Sequence, residues 1–438
     1  MQNIIIIGNG ISGITCARHI RKKTTDRITV ISSETEHFFS RTALMYIYMG
    51  HMKYEHTKPY EDFFWKKNNI DLIQKRVTKI YDTEQTLALE DGQNLSYDKL
   101  VLATGSITAK YNWPGQDLPG VHGLYSIQDL QNIEAATKDI KTAIIVGGGL
   151  IGVELAEMLH TRHITTSIFL KDNYYWGSVL PEQDARLIEE QLKKYGVSIF
   201  RNTELKEIKG TANSVSSVIT KEGKEHPAQF VGITTGVTPN ISFLRESNIQ
   251  TDKGVLVNEF FETNCPNVYA IGDCAQFQIP LIGRKSLEQV WYTGKMHGET
   301  LAETIAGHKT AYQPGPWYNS AKFFDLEYQT YGLVSAKTEE GNAYYFWKHP
   351  LKDVALGIYY RKSDHLFIGI NAYGIRLRHA YFDKCLKENR PVEVVLSHLR
   401  QAWFNPEFST NYIKDFLGAW NNATGIHIMD QHKILSAI

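Results

Sequence analysis

Two glycine-rich segments have the residue types and spacing best suited to chemistry in this 438-residue sequence. Both follow a β-branched run and both have the spacing Gly-x-Gly-x-x-Gly; the six positions are Gly8, Gly10, Gly13, Gly147, Gly149 and Gly152. In this pattern the first glycine allows a tight turn, the second lets a pyrophosphate approach the backbone, and the third lets a helix pack against a strand. The free N–H groups at the start of that helix then face the phosphates. The repeated motif therefore predicts two dinucleotide-binding sites.

An acidic residue about 20 positions after such a motif accepts hydrogen bonds from the ribose of a bound adenosine. After the first motif Glu34 stands at this position, just beyond a predicted strand over residues 27–31. After the second motif the corresponding strand ends at Lys171, and Asp172 follows it. Lys171 would receive the 2′-phosphate of NADPH, whereas Asp172 would accept the ribose of NADH. The two nucleotides stay open alternatives.

Apolar runs indicate the strands that must position these residues. Residues 4–7 and 143–146 are continuous apolar runs, which are typical of strands buried in a parallel sheet, and each precedes a glycine motif and a helical pattern. Further strands of this kind end in small or acidic residues, namely Thr104 and Gly105, Gly236, and Gly272 and Asp273. Because the two copies lie far beyond the period of a solenoid repeat, we expect two separate nucleotide-binding domains.

Proline- and glycine-rich segments divide the chain into three predicted domains. We expect an α/β fold with two Rossmann-like, doubly wound, three-layer dinucleotide-binding domains and a C-terminal α+β domain. The first domain is discontinuous, with residues 1–112 and 244–312, and the second covers residues 113–243. The third covers residues 313–438 and ends in a helical tail. An amphipathic segment there, residues 412–420, is expected to dock on its own domain or on a dimer partner rather than on a membrane.

Composition and charge exclude several classes of protein. The sequence is 42% hydrophobic, which is ordinary for a globular protein. Its 47 Lys and Arg residues equal its 47 Asp and Glu residues, so no overall electrostatic field attracts nucleic acid, and no such partner is expected. The four cysteines form no Cys-x-x-Cys pair and the 16 histidines no His-x-x-x-His motif, which disfavours a dithiol centre and a metal site. No apolar run reaches the roughly 18 residues of a membrane span. We expect a cytoplasmic protein.

The order of these motifs resembles that of the pyridine nucleotide–disulfide oxidoreductase superfamily. The resemblance covers about residues 1–312 and is strongest to the ferredoxin/rubredoxin reductase-like branch, which also includes apoptosis-inducing factor. It implies that the first glycine motif binds FAD and that the second binds NAD(P)H. The C-terminal domain is similar to the interface domain of this family in position and texture.

The resemblance also implies roles for single residues. The segment 39–41 is similar to an aromatic-x-Arg segment beside FAD, so Arg41 is a predicted FAD contact. Asp273 is expected to bond the ribityl chain, and Glu154, the one catalytic candidate, to lie toward the flavin and the nicotinamide. A helix beginning at Leu287 would point its N-terminus at the flavin pyrimidine, where its dipole stabilises negative charge. The other predicted cofactor contacts are Thr104, Gly105, Gly236, Gly272, Val290 and Trp291.

Two features common in relatives are missing from the sequence. No cysteine lies between Ser40 and Met45, where many members place a redox-active thiol, and the lysine that pairs with the Glu154 position in the reductase branch is absent. We therefore expect a flavin-only route, in which hydride passes from NAD(P)H to FAD N5 and electrons then pass to an acceptor.

The family default for that acceptor is a small iron–sulfur protein, a ferredoxin or a rubredoxin. Such partners are acidic, so basic residues near the flavin are candidate contacts, namely Lys53, Lys58, Arg284 and Lys285. An NAD(P)H oxidase or quinone reductase of the same fold is the alternative among enzymes. A redox-gated interaction protein similar to apoptosis-inducing factor is the alternative outside them, and a homodimer stays open.

Overall fold

A computed structural model describes residues 1–211, 214–405 and 407–431. The N-terminal segment alternates buried apolar strands with helices, which is the pattern of a parallel sheet. Its helices are α1 (Ile11–Arg21), α2 (Leu44–Tyr48) and α3 (Phe63–Lys67). Its strands are β1 (Asn3–Ile7), β2 (Arg27–Ser32), β3 (Ile70–Gln74), β4 (Val77–Tyr81), β5 (Thr86–Leu89), β6 (Asn94–Ser96) and β7 (Lys99–Leu102).

The central segment repeats this alternation around the second glycine motif. Its helices are α4 (Ile127–Ala136), α5 (Leu150–Thr161) and α6 (Glu182–Lys194). Its strands are β8 (Ser106–Thr108), β9 (Val121–His122), β10 (Thr142–Val146), β11 (Thr165–Phe169), β12 (Ser198–Phe200), β13 (Leu205–Thr211), β14 (Ser214–Thr220), β15 (Glu225–Pro227), β16 (Phe230–Ile233) and β17 (Val237–Pro239).

The chain then returns to the first sheet. The elements of this segment are β18 (Val255–Val257), β19 (Val268–Ala270), β20 (Ala275–Phe277) and α7 (Trp291–Ile305). The first sheet has the parallel order β19-β7-β1-β2-β3, and the second has the order β12-β11-β10-β16-β9. In both sheets the strand before the glycine motif lies in the middle, as the doubly wound prediction requires. Strands β8 and β17 pair as a separate two-stranded ribbon.

The last segment forms an antiparallel sheet of order β21-β22-β25-β24-β23. Its elements are β21 (Tyr318–Phe323), β22 (Leu326–Gly332), β23 (Asn342–Lys348), β24 (Ala355–Arg361), β25 (Phe367–Tyr373), α8 (His379–Lys387), α9 (Val392–Ser397) and α10 (Ile413–Thr424). One face of the sheet shares a core with α5 and α6, and the other shares a core with α8 and α10. The predicted fold class is confirmed, whereas the exact domain boundaries stay predictions.

The amphipathic C-terminal segment packs on its own domain. Ile413, Phe416, Leu417 and Trp420 of α10 are buried, and Trp420 lies 5.0 Å from the ring of Tyr345 in β23. This contact confirms intramolecular docking, one of the two expected partners for this segment. A homodimer stays a prediction.

Candidate functional site

The first glycine of each motif occupies a turn that only glycine can form. Gly8 has a φ of +113°, and a Cβ atom there would lie 2.0 Å from the carbonyl oxygen of Ala103. Gly147 has a φ of +114°, and its Cβ would lie 2.5 Å from the carbonyl oxygen of Thr234. Both the left-handed backbone and the neighbouring strand therefore exclude a side chain.

The third glycine of each motif lets the helix lie against its strand. A Cβ on Gly13 would lie 2.0 Å from the carbonyl oxygen of Gly8, and a Cβ on Gly152 would lie 2.6 Å from that of Gly147. Any side chain would push α1 or α5 away from the turn. The spacing of the motif thus has the mechanical cause that the sequence predicts.

The second glycine of each motif faces open space. Gly10 and Gly149 are the N-cap residues of α1 and α5, and an added Cβ on either would have no described atom within 4 Å. Each turn therefore leaves an uncovered backbone beside N–H groups that have no acceptor within the helix. This geometry fits a pyrophosphate at both turns.

Glu34 and Arg41 form a bidentate ion pair next to the first turn. Arg41 donates to the two carboxylate oxygens of Glu34 at 2.9 and 2.6 Å, and the backbone N–H of Ile127 donates to Oε1 at 2.8 Å. The guanidinium also lies 4.6 Å from the ring of Tyr125. A ribose hydroxyl at Glu34 would share this carboxylate with Arg41, so the two predicted FAD contacts act as one unit.

Asp273 belongs to the same polar cluster. Its Oδ2 accepts hydrogen bonds from Ser106 Oγ and from the Tyr125 hydroxyl, both at 3.2 Å, and Gln289 donates to Ser106 at 2.8 Å. Burial raises the pKa of Asp273, while these donors and the charge of Arg41 oppose the rise. Sequence reasoning missed Tyr125 and Ser106, because no motif marks residues that reach Asp273 across the fold.

The small residues at the strand ends are held by backbone geometry. Gly105 and Gly272 have φ values of +66° and +72°. The N–H of Gly272 donates to Nδ1 of the buried His297 at 3.1 Å, and the Thr104 hydroxyl donates to the carbonyl of Asn240 at 2.8 Å. These bonds hold the backbone before Asp273 and the Thr104 side chain after β7.

The helix expected from Leu287 begins four residues later, so that prediction is wrong. Leu287 instead forms an isolated bridge with Gln276, which holds this part of the chain extended. Val290 is the N-cap of α7, and its carbonyl accepts the N–H of Gly294 at 2.9 Å. Trp291 is the first helical residue and is 38% exposed, so it is not a core aromatic.

Two of the four basic candidates for partner contact are engaged within the chain. Arg284 pairs with Glu288, and the two side chains are only 5% and 9% exposed. Burial of this pair contradicts the expectation that Arg284 is a surface cation. Lys58 pairs with Asp62 at 2.6 Å. The exposed candidates are Lys53 and Lys285.

Glu154 lies in the first turns of α5, close to the second glycine motif. Its side chain is partly buried, and this burial, with the negative charge of Glu157, raises its pKa to about 7. Glu157 pairs with Lys322 of β21 at 3.1 Å. Across residues 1–211, 214–405 and 407–431 no lysine or arginine pairs with Glu154, as the missing lysine of the sequence suggests.

Lys171 and Asp172 stand together after β11, where an adenosine ribose is expected. Both are exposed, and the carbonyl of Asp172 accepts the N–H of Asn202 at 3.2 Å. Gly236 follows β16, which lies on the other side of β10 from β11. It has a φ of +112°, and its carbonyl accepts the N–H of Ala109 at 3.1 Å. The NADH and NADPH alternatives therefore depend on two adjacent surface side chains.

All four cysteines are free and buried. Burial raises the pKa of each thiol, to about 11 for Cys265, so none is a ready thiolate. In the part of the chain that the structure describes, no three His, Cys, Asp or Glu side chains are grouped as metal ligands would be. Among those residues, too, no helix is long and apolar enough to span a bilayer.

Comparison with known proteins assigns the family. The model of the family "Pyridine nucleotide-disulphide oxidoreductase" matches residues 2–298. The chain belongs to this family, whose cofactors are FAD and NAD(P)H, and the predicted superfamily is confirmed. A persulfide reductase from A. fulgidus, NAD-dependent by its description, has the same fold with a TM-score of 0.83; the likeness covers 97% of this chain and 84% of that one at 23% identity.

Three named proteins are similar to this chain in sequence. Nitrite reductase [NAD(P)H] of Bacillus subtilis is 28% identical over 63% of this chain, but the match spans only 34% of that protein. The NADH-rubredoxin oxidoreductase of Clostridium acetobutylicum is 30% identical over 63% of this chain and 68% of its own length. The NADH oxidase of Methanocaldococcus jannaschii is 30% identical over 76% of each chain. This chain thus spans about a third of the first relative and most of the other two.

Proposed function

We propose that the chain is an FAD-dependent NAD(P)H oxidoreductase in which the first turn holds FAD and the second holds NAD(P)H. The observation that carries the proposal is the pair of open glycine turns, since Gly10 and Gly149 leave room for a pyrophosphate at two helix N-termini. When bound, the flavin accepts hydride from NAD(P)H and passes electrons to an acceptor. The residues of this chain bind and orient the two groups.

The residues around the first turn would retain FAD. Glu34 would accept a ribose hydroxyl through the lone pair that Arg41 leaves free, and Arg41 would supply positive charge beside the pyrophosphate. Asp273, held by Tyr125 and Ser106, would accept from the ribityl chain. The ends of several strands and α4 converge here, so FAD would bind to preformed groups at little ordering cost.

Electron transfer would proceed without a thiol. Each cysteine is buried and its pKa is raised, so no sulfur is available as a nucleophile between the two sites. Glu154 lies in the first turns of α5, after the second glycine turn, and among the described residues no cation pairs with it. Burial raises the pKa of its carboxyl to about 7, so this group can take up or release a proton near neutral pH.

For the acceptor we propose a small iron–sulfur protein. The support is the relative named NADH-rubredoxin oxidoreductase, together with an exposed indole at Trp291 and an exposed cation at Lys285 near the N-terminus of α7. Dioxygen is the second candidate. It is favoured by the relative named NADH oxidase, of which the match spans 76%.

Anaerobic stopped-flow reduction tests the proposal. Purified protein reconstituted with FAD is mixed with NADH or NADPH, and flavin bleaching is followed; we expect bleaching with at least one nucleotide. The reduced protein is then mixed with oxidised rubredoxin, oxidised ferredoxin or dioxygen. A flavin that neither nucleotide bleaches would refute the oxidoreductase, whereas rapid bleaching followed by reaction with dioxygen alone would favour the oxidase.

A further inference from the structure

A buried tyrosine reaches the second glycine turn from the loop after β11. The side chain of Tyr175 is fully buried, and its hydroxyl donates to the carbonyl oxygen of Gly149 at 2.7 Å. The same oxygen accepts the N–H of Val153 at 3.2 Å, which is the first hydrogen bond of α5. The N-cap carbonyl of this turn thus has two donors.

The first turn has no such support. The equivalent carbonyl, on Gly10, accepts the N–H of Ile14 at 3.0 Å. Within the described ranges no side chain donates a hydrogen bond to it. Tyr175 is therefore specific to the second turn, and the repeated motif alone does not require it.

Other buried groups fix Tyr175 in place. Its N–H donates to Oε1 of Glu189 at 3.0 Å, and Glu189, 1% exposed, is held by Arg186 at 3.2 Å and by Nε of Arg201 at 3.1 Å. Its ring lies perpendicular to that of Phe323 in β21, with the ring centres 6.4 Å apart. The C-terminal sheet thus contributes to holding the hydroxyl at the turn.

A donor on the Gly149 carbonyl acts on the next N–H group as well. The carbonyl of Gly149 and the N–H of Leu150 belong to one planar peptide, so fixing one fixes the other. Leu150 is the first residue of α5, and its N–H has no acceptor within the helix. A hydrogen bond to the carbonyl also polarises the peptide, which makes its N–H a stronger donor to an anion.

We propose that Tyr175 is a positioning residue for the pyrophosphate of NAD(P)H, acting through the Gly149–Leu150 peptide. The inference rests on the proposed function of the second turn. Tyr175 does not touch the nucleotide; it holds the peptide that does. Its hydroxyl should therefore affect ligands that carry a pyrophosphate more than ligands that lack one.

Calorimetric titration of the FAD-loaded protein with ADP and with adenosine tests this role. The variant is Tyr175→Phe, and the matched control is Tyr331→Phe, which removes a buried hydroxyl that donates to the carbonyl of Leu377 at 3.0 Å in the C-terminal domain. We expect Tyr175→Phe to weaken ADP binding about fivefold, the effect of one hydrogen bond. Adenosine affinity and FAD content should stay at the wild-type values, and Tyr331→Phe should leave the affinity for both ADP and adenosine unchanged.

The outcomes distinguish failure of the role of Tyr175 from failure of the proposed function of the second turn. Wild-type protein that binds no ADP would end the proposed function, whereas equal ADP affinity in wild type and Tyr175→Phe would overturn the role of Tyr175 alone. Equal weakening of ADP and adenosine would also overturn it, because a general loosening of the domain would do that. Hydrogen exchange of residues 147–153 in the wild type gives a second measurement. Protection by ADP is expected, and exchange that ADP leaves unchanged contradicts the proposal even if the variant does not fold.

Discussion

The two glycine turns have nearly the same backbone but different surroundings. Gly8 and Gly147 share a φ within 1°, and Gly10 and Gly149 are equally open. Around the first turn, however, the charged groups have partners from several segments of the chain: Arg41 pairs with Glu34, and Tyr125 and Ser106 donate to Asp273. Around the second turn, Glu154 has no cationic partner among the residues that the structure describes, and Lys171 is exposed.

This difference matches two kinds of ligand. A group that stays bound gains from prearranged partners drawn from distant segments, because their ordering cost is met on folding. A soluble donor must enter and leave at each turnover, so exposed and adjustable side chains suit it. The same local motif can therefore serve a retained or an exchanged dinucleotide, and its surroundings decide which.

The largest effects should come from filling the open positions of the turns. Gly10→Ala should abolish FAD retention, and Gly149→Ala should leave FAD bound but weaken NAD(P)H binding at least tenfold, about 1.4 kcal/mol. In each case the methyl group would occupy the proposed pyrophosphate position and have no described protein atom within 4 Å. Flavin absorbance of the purified variants and titration with NAD(P)H measure the two effects.

Gly418→Ala is the control for these variants. Gly418 lies on the exposed side of α10, and a Cβ there also meets no atom within 4 Å. Its substitution should leave both ligands unaffected. Loss of FAD in Gly149→Ala, or loss of NAD(P)H binding with normal FAD in Gly10→Ala, would reverse the assignment of the two turns.

Removing a carboxylate beside the first turn should have the next largest effect. Asp273→Ala and Glu34→Ala should each weaken FAD binding about tenfold to a hundredfold, because each deletes a charge-assisted acceptor worth roughly 1.5–3 kcal/mol. Neither should change NAD(P)H affinity. The control is Glu204→Ala, which breaks a surface pair with Lys221 in the central segment. Flavin content after dialysis gives the result, and full retention in either variant would remove that residue from the FAD site.

The parts of the site that the sequence predicts are those with local causes. A Gly-x-Gly-x-x-Gly turn needs only its own strand and helix, so both copies could be placed from the residues alone. The strand before each copy follows from a continuous apolar run, residues 4–7 and 143–146. Tyr125 could not be predicted, because it contacts Arg41 from 84 positions along the chain and no pattern links the two. The helix start at Trp291 rather than Leu287 likewise follows from a bridge to Gln276, a contact that helical periodicity does not reveal.

Glu154→Gln should change the pH dependence of flavin reduction by NAD(P)H. If its proton is used, flavin reduction in the wild type slows several-fold above pH 7, and the variant loses this dependence.

Stability gives an independent check of the pKa of Glu154. The pKa of Glu154 in the folded protein lies above the usual value of 4.5. Its contribution to the free energy of unfolding is therefore fully present below pH 4.5 and is lost as the pH rises through about 7. The loss is about 3 kcal/mol. Urea unfolding at pH 5 and pH 8 should show this loss in the wild type and not in the variant; equal pH dependence in both proteins would exclude the shifted pKa.

The smallest effect should separate the two nucleotides at the surface beyond β11. Exposed charges contribute roughly 0.2–1 kcal/mol, so a single substitution should change affinity by only about threefold. If Lys171 receives a 2′-phosphate, Lys171→Gln raises the KM for NADPH and leaves that for NADH; if Asp172 holds a ribose, Asp172→Asn raises the KM for NADH. The effect of Lys171→Gln should also shrink in high salt, whereas that of a neutral ribose contact should not. Because the two residues are adjacent and both exposed, each variant serves as the control for the other. If both variants show the same ratio of NADPH to NADH affinity, the adenosine lies away from both side chains.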